Sequence, residues 1–416
     1  MPRRICIVGS GSLSSNPRLL KEADALQAAG YDVTAVACDY TDALRSADDE
    51  IAANVPWRVK RVSRPVLGRY TSKMAWQLAR LLGGMNVTLP VALAAEAYGG
   101  PARALKRAAV AVVADLYIAH YLPSLPAAAA AALRHGGMLA FDAEDFHSGE
   151  GAGGPERDLR MAMVQRVEGA VLPFCAYVTA ASPMIGRAYA DQYGIPVPVT
   201  ILNVFPTSMA PSGGPVPATG SAGGLRAYWF SQTIGLDRGL QSFIQAMART
   251  RTAVTLDIRG SNRWGHGDTL LALARDLGIA GRVRLLPLAP PSQMALLASK
   301  YDIGLSLETD VTESRRLCLT NKIFTYLLAG VPVLMSDTPA QRALAPDLGA
   351  AAAVVPLLDP EGIAATLDRL AASAALALAK EMAAQLGRER YNWDYEKRIL
   401  LDVVARAFAG RERMGA

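Results

Sequence analysis

The feature that most constrains the fold is an alternation that runs through the chain twice. In the first half, the short apolar runs "RICIVG", "DVTAVA", "DLYIAHY", "GMLAFDAED", "AYVTAAS" and "VTILNVF" read as strands. Between them lie helical patterns such as "NPRLLKEADALQAAG", "LPAAAAAALRHG" and "ERDLRMAMVQRVEGAV". Strands that are apolar along their whole length and separated by helices imply a parallel sheet covered on both faces. The stretch "FPTSMAPSGGPVPATGSAGGLR" then breaks the pattern with Pro, Gly and Ser, as a linker does. The alternation restarts with "LRAYWFS", "VTLDIRGS", "RVRLLPL", "DIGLSLE", "VPVLMSD" and "AAVVPLL". A chain of 416 residues is too long for one ordinary core. The expected organisation is a Rossmann-like domain at 1–206, a linker at 207–225, a second Rossmann-like domain at 226–394, and a terminal helix and tail at 395–416. Two such doubly wound α/β domains are expected to face each other across a cleft, where ligands bind.

Composition excludes several classes. Half of the residues are apolar and charge is moderate, which describes a globular protein rather than a disordered or fibrous one. The four cysteines Cys6, Cys38, Cys175 and Cys318 are widely spaced, with no C-x-x-C pair and no histidine cluster, so neither zinc nor a disulfide framework is expected. Buried thiols in a reduced, cytoplasmic setting are the expectation. The opening "PRR" leads into a strand and a glycine loop rather than a signal peptide, and no apolar run reaches membrane-spanning length. The net charge of +6 is weak evidence for anionic ligands, and no aromatic-interleaved basic strip points to nucleic acid.

The first strand runs into "GSGSLSSNPRLL". Gly9 and Gly11 fill two slots of a dinucleotide fingerprint, but Ser14 stands at the third. Ser15 or Asn16 is expected to cap a helix that begins at Pro17, which delays the helix and lengthens the loop. Such a loop offers hydroxyls and amides, Gly11 and Ser12 among them, to a ligand above it. A nicotinamide-dependent oxidoreductase, with Asp39 on a ribose, stays open as a rival.

The most specific stretch is "LTNKIFTYLLAGVPVLMSD", Leu319 to Asp337. It resembles the donor-site helix and strand of GT-B glycosyltransferases, in particular family 4. "YWFSQTIGLDRGLQSFIQAM", "LDIRGS", "VRLLPLAPPSQMALLASKYDIGLSLE", "YGIPVPVTILNVFP" and "YNWDYEKRILLDVVARAF" extend the resemblance over nearly the whole chain. It implies a GT-B architecture and a glycosyltransferase that moves a sugar from a nucleotide-diphosphate sugar to a hydroxyl acceptor. Retention of the anomeric configuration is implied too, with the diphosphate leaving group helping to deprotonate the acceptor. The expected role is in polysaccharide, glycolipid or other glycoconjugate biosynthesis. Arg238 is expected as the diphosphate anchor, at the place where the family usually has Lys. Gln232 stands where the family has Arg, and Asn321 and Lys322 complete the diphosphate set. Gly260, Leu288, Glu308 and Thr325 are the expected nucleoside or sugar contacts. Thr325 replaces the glutamate that accepts from ribose hydroxyls, and the family's other glutamate falls on Leu317. That departure keeps open a sugar-nucleotide-binding protein that has lost transfer.

His120 ends a strand, at a position where related retaining enzymes place a histidine near the sugar. "FDAEDFHSGE" ends the next strand with Asp142, Glu144, Asp145, His147 and Glu150 within ten residues. His147 with Glu144 or Asp145 could deprotonate an acceptor; a polar loop that caps the following helix explains them equally well. No cofactor beyond the donor and no metal are expected, since no D-x-D is present to bridge phosphates. The acceptor class is a saccharide, a lipid-linked molecule or a small molecule. "WRVKRVSRPVLGRYTSKMAWQLARLLGG" mixes cations and aromatics, with Lys73, Trp76 and Arg80 near one another on a helix. It reads first as a helix packed on the domain and second as peripheral contact with the inner face of the membrane.

Overall fold

A computed structural model describes residues 1–39, 42–63, 66–85, 87–99, 101–151, 153–212 and 224–415. Two compact units emerge: Met1–Ile201 with Lys397–Ala416, and Leu202–Glu396. Most of the expected linker, residues 213–223, lies outside the described residues.

The first unit holds a parallel sheet of β1 (Arg4–Gly9), β2 (Asp32–Asp39), β3 (Arg58–Ser63), β4 (Leu116–His120), β5 (Met138–Ala143), β6 (Tyr177–Ala180) and β7 (Val199–Thr200). Their spatial order is β3-β2-β1-β4-β5-β6-β7, so the chain winds outward from β1 in both directions. β1, β2, β4 and β5 are apolar almost throughout because helices cover both faces, and Ile5, Ile7, Val33, Val36, Leu116 and Phe141 are buried. β3 was not among the expected strands. It is an edge strand in which Arg58, Lys60 and Arg61 interrupt the apolar pattern, and two of its arginines reach back to acids of β2. Arg58 donates to Asp32 at 2.8 Å and Arg61 to Asp39 at 2.6 Å. The expected strand "VTILNVF" shortens to the two residues of β7.

The second unit repeats the plan with β8 (Leu225–Thr233), β9 (Val254–Ser261), β10 (Val283–Leu286), β11 (Ile303–Ser306), β12 (Val333–Ser336) and β13 (Ala352–Val355). The order β10-β9-β8-β11-β12-β13 is again all parallel. Its core packs Trp229, Phe243, Ile244, Leu256, Ile258 and Leu334. Each fully buried aliphatic or aromatic side chain of this kind contributes roughly 1.5–3 kcal/mol. Among the described residues no single helix is long and apolar enough to cross a membrane. The last helix runs from Trp393 to Gly415, starting two residues before the expected 395, and in the first unit its Phe408 stacks on Tyr31 with centroids 5.8 Å apart. Cys6 and Cys38 are buried in β1 and β2, and burial pushes the thiols of Cys6 and Cys175 up to about 12.

Candidate functional site

In both units the strands point their carboxyl ends at one edge of the sheet, and side chains of opposite charge gather there. In the second unit β8 carries a bulge between Phe230 and Thr233 and leads into the loop Ile234–Gly239. Ile234 is buried, its N–H donates to Ser261 O, the Thr309 hydroxyl donates to Asp237 O, and Gln241 donates to Leu236 O. Gly239 ends the loop at φ +64°, and a β-carbon there would stand 2.8 Å from Leu307 Cβ, so only glycine fits. The helix begins at Leu240, so Arg238 belongs to the loop that precedes it.

Arg238 Nη1 donates to Glu308 Oε2 at 2.7 Å. Arg315 Nη1 donates to the same oxygen at 2.7 Å, and Lys322 Nζ lies 3.1 Å from Glu308 Oε1. Glu308 is 1% exposed, just past β11, and its N–H donates to Ser336 Oγ at the end of β12. Asp237 pairs with Arg315 at 2.8 Å and lies 3.8 Å from Arg238. Three cations therefore stand against two carboxylates. Glu308, expected to touch the donor, holds these cations in place: its Oε2 accepts from both guanidiniums, while Oε1 faces Lys322 Nζ and has no hydrogen-bond partner among the described residues. Arg315 was not anticipated; the short helix Glu313–Leu317, capped by the Thr312 hydroxyl, delivers it. Asn321 and Lys322 open the helix Asn321–Leu328, and Lys322 Nζ lies 6.0 Å from the Trp229 ring centroid.

Thr325 corrects another expectation. It is fully buried and its hydroxyl donates to Asn321 O at 2.8 Å, the usual back-bond of a helical threonine, so it does not present a ribose contact. Gly260 lies in β9 where a β-carbon would meet Ser231 O at 3.0 Å. Gln232 is exposed at the end of β8, and Leu288 is exposed after β10.

In the first unit the sheet register lines up Gly9, His120, Asp142 and Thr179 on four adjacent strands. The helix Pro17–Ala28, capped by Asn16 as expected, directs Arg18 and Glu22 at this row. Arg18 donates to both oxygens of Asp142 at 2.6 and 2.7 Å and to Ile201 O at 2.7 Å. His120 Nε2 lies 2.5 Å from Glu22 Oε2, and Thr179 donates to Asp142 at 2.6 Å. Arg18, Glu22, His120 and Asp142 are each buried, so the guanidinium and the imidazole face the two carboxylates away from water. Burial alone would neutralise His120, but the hydrogen bond and charge of Glu22 outweigh it and raise its pKa. Burial would likewise raise Asp142, yet Arg18 lowers it to about 2. His120 Nδ1 has no hydrogen-bond partner among the described residues.

Tyr121, immediately after His120, is the one non-glycine residue with positive φ among the described residues, at φ 64° and ψ 151°. That conformation costs about 1–3 kcal/mol and persists where neighbours over-determine it. Here Ser124 does so, its hydroxyl donating to His120 O at 2.6 Å and its N–H to Tyr121 O at 3.1 Å. Tyr121 hydrogen-bonds Glu144. Burial raises the pKa of both Glu144 and Asp145.

His147 also corrects the expectation. Its Nδ1 faces Glu168 at 3.1 Å and Tyr189 at 2.9 Å, rather than pairing with Glu144 or Asp145. Glu168 also accepts from Ser148 and Tyr193. Burial would lower the His147 pKa, but Glu168 outweighs it and lifts it to about 9. An imidazole already protonated at neutral pH is not a general base. The opening loop turns inward as well. Ser14 donates to Asp48 at 2.6 Å, Ser15 to Ser12 O at 2.8 Å, Gly11 O accepts from Cys38 N–H, and Ser12 is buried. Among the described residues no group of three or more His, Cys, Asp and Glu side chains is placed to hold a metal ion.

No protein-family model matches the chain. No curated protein matches it in sequence. Solved structures resemble it along its whole length. HepE from Anabaena in complex with UDP-glucose is 14% identical, with a TM-score of 0.68 over 97% of this chain and 99% of that one. Sucrose-phosphate synthase from Thermosynechococcus elongatus is 15% identical, with a TM-score of 0.71 over 98% and 100%. A glycosyltransferase from Rickettsia africae is 10% identical, with a TM-score of 0.66 over 98% and 99%. At such identities the likeness is one of fold: two Rossmann-like parallel-sheet domains, the GT-B class.

Proposed function

We propose that the chain is a glycosyltransferase of family 4 type that moves a sugar from a nucleotide-diphosphate sugar to a hydroxyl acceptor. The observation that carries this reading is the buried Glu308 with Arg238, Arg315 and Lys322 around it. A carboxylate so placed fixes three cations at the carboxyl edge of a Rossmann sheet while leaving a positive excess for a diphosphate. In this reading Arg238, Arg315 and Lys322 neutralise the leaving diphosphate without a metal, which is how they lower the barrier to its departure. The buried imidazoles of the first unit fit transfer with retention, in which the leaving diphosphate takes the acceptor proton. His120 has its pKa raised by Glu22 and faces Asp142 through Nδ1 at 3.5 Å, and the pKa of His147 is lifted to about 9, so neither is asked to act as a base. The dinucleotide reading is disfavoured because Asp39 is engaged by Arg61 and the loop serines turn inward.

The test is a thermal-shift panel of nucleotide-diphosphate sugars, free nucleotides and NAD(P), because a ligand that binds only the folded state raises Tm. One sugar nucleotide should stabilise the wild type, and Arg238→Ala and Arg315→Ala should each weaken it by roughly 10- to 100-fold, as expected for a lost charged hydrogen bond. Slow release of nucleoside diphosphate from that donor separates a working transferase from a protein that only binds it. Stabilisation by NAD alone, unchanged in both variants, would refute the reading.

A further inference from the structure

The helix Val66–Gly84 packs one face on the domain and exposes a second apolar stripe where a surface helix ordinarily carries polar residues. Into the domain it turns the buried Ser72, Ala75 and Ala79 and the half-buried Trp76 and Leu82; the two alanines pack with Leu122, Met161 and Val164, and Trp76 and Leu82 pack against the same cluster. The residues it turns outward are large and apolar. Tyr70 is 63% exposed, Met74 70%, Leu78 47%, Leu81 61%, and Met85 in the turn that follows 63%. At ~100° per residue these five side chains fall within about 80° of arc, a single continuous stripe. Lys73 and Arg80 are exposed and lie roughly 60–80° to one side of Tyr70 on the same wheel. No acidic residue occurs between Val66 and Met85. The nearby Glu96 is already engaged by Thr71 at 2.7 Å and Arg103 at 3.5 Å.

A stripe of this size left in water is unfavourable unless something covers it. We propose that this face is a docking surface for an anionic lipid bilayer. The helix lies in the plane of the interface, its methionines and leucines enter the acyl boundary, and Lys73 and Arg80 meet lipid phosphates. Charge complementarity selects this occupant. A second copy docked about a two-fold axis would bring the basic flank of one helix towards that of the other, with no carboxylate on the helix to offset it. A bilayer of negative surface potential instead attracts both cations while accepting the stripe. The argument is independent of the proposed transferase activity.

The experiment is flotation of the whole chain with vesicles of phosphatidylcholine alone and of phosphatidylcholine mixed in equal parts with phosphatidylglycerol. Wild type should float with the mixed vesicles and far less with the neutral ones. Lys73→Gln/Arg80→Gln should weaken that binding about 25-fold, at about fivefold for each cation near the surface. Met74→Ser/Leu78→Ser/Leu81→Ser should abolish it while leaving thermal unfolding unchanged, since all three side chains are exposed. Failure of the wild type to bind the mixed vesicles overturns the proposal, as does undiminished binding of the triple-serine variant. So does a wild-type dimer that the triple-serine variant converts to monomer, which would make a second copy the occupant.

Discussion

Replacing Glu308 by glutamine keeps the shape of the side chain and removes its charge. The wild-type carboxylate has two guanidiniums at 2.7 Å and one ammonium at 3.1 Å. Arg238 and Arg315 retain about a quarter of their side-chain exposure, so water and Asp237 compensate them, and each loses under ~1 kcal/mol. Lys322 has only 8% side-chain exposure and little water to fall back on. Stranding a buried charge costs about 3–5 kcal/mol. A net loss of about 3 kcal/mol follows, which for a domain of this size lowers Tm by roughly 6–12 °C. Thermal unfolding of the full chain measures it, with Arg238→Ala as the internal comparison and an expected loss under ~1 kcal/mol. High salt should narrow the Glu308→Gln gap only in part, since screening reaches the exposed guanidiniums more than Lys322. If Glu308→Gln melted within a degree of wild type, or if Arg238→Ala were the more damaging change, the carboxylate would not be what organises the cluster.

Two further outcomes follow from the first unit. Glu22→Gln removes the carboxylate that hydrogen-bonds His120 Nε2, so the His120 pKa, raised in the wild type, should fall, and histidine NMR titration reads this directly. A His120 titration unchanged in the variant would mean that Glu22 does not hold the charge. His147, lifted to about 9 in the folded chain against ~6.5 unfolded, contributes up to about 3 kcal/mol that is fully present below pH ~6.5 and lost as pH rises through about 9. Urea unfolding across that window should show the decline, and His147→Gln should flatten it.

The two sheets were legible because their strands are buried on both faces and so carry continuous apolar runs, which no exposed element imitates. β3 escaped for the converse reason: at the sheet edge Arg58, Lys60 and Arg61 are tolerated, and its charges hide the strand. Asn16, followed by Pro17, announced a helix start that depends only on local backbone chemistry. Arg238 and Lys322 were legible through their places beside a glycine loop and a helix start. Arg315 was not, because its relation to Glu308 arises only when the helix Glu313–Leu317 folds back over the end of β11.

Sequence alone determined most of the alternation of elements and the two Rossmann-like sheets it builds, since periodicity, capping and glycine placement act over a few residues. It also marked His120 and Asp142 as strand-end residues. Tertiary structure decided what those groups do. The partners that set the charge of His120, Asp142 and His147 stand 98, 124 and 21 residues away in the chain. The orientation that turns Tyr70, Met74, Leu78 and Leu81 outward follows from which face of Val66–Gly84 packs on the domain. Protonation state and exposure are properties of surroundings, and those surroundings exist only once distant segments have packed together.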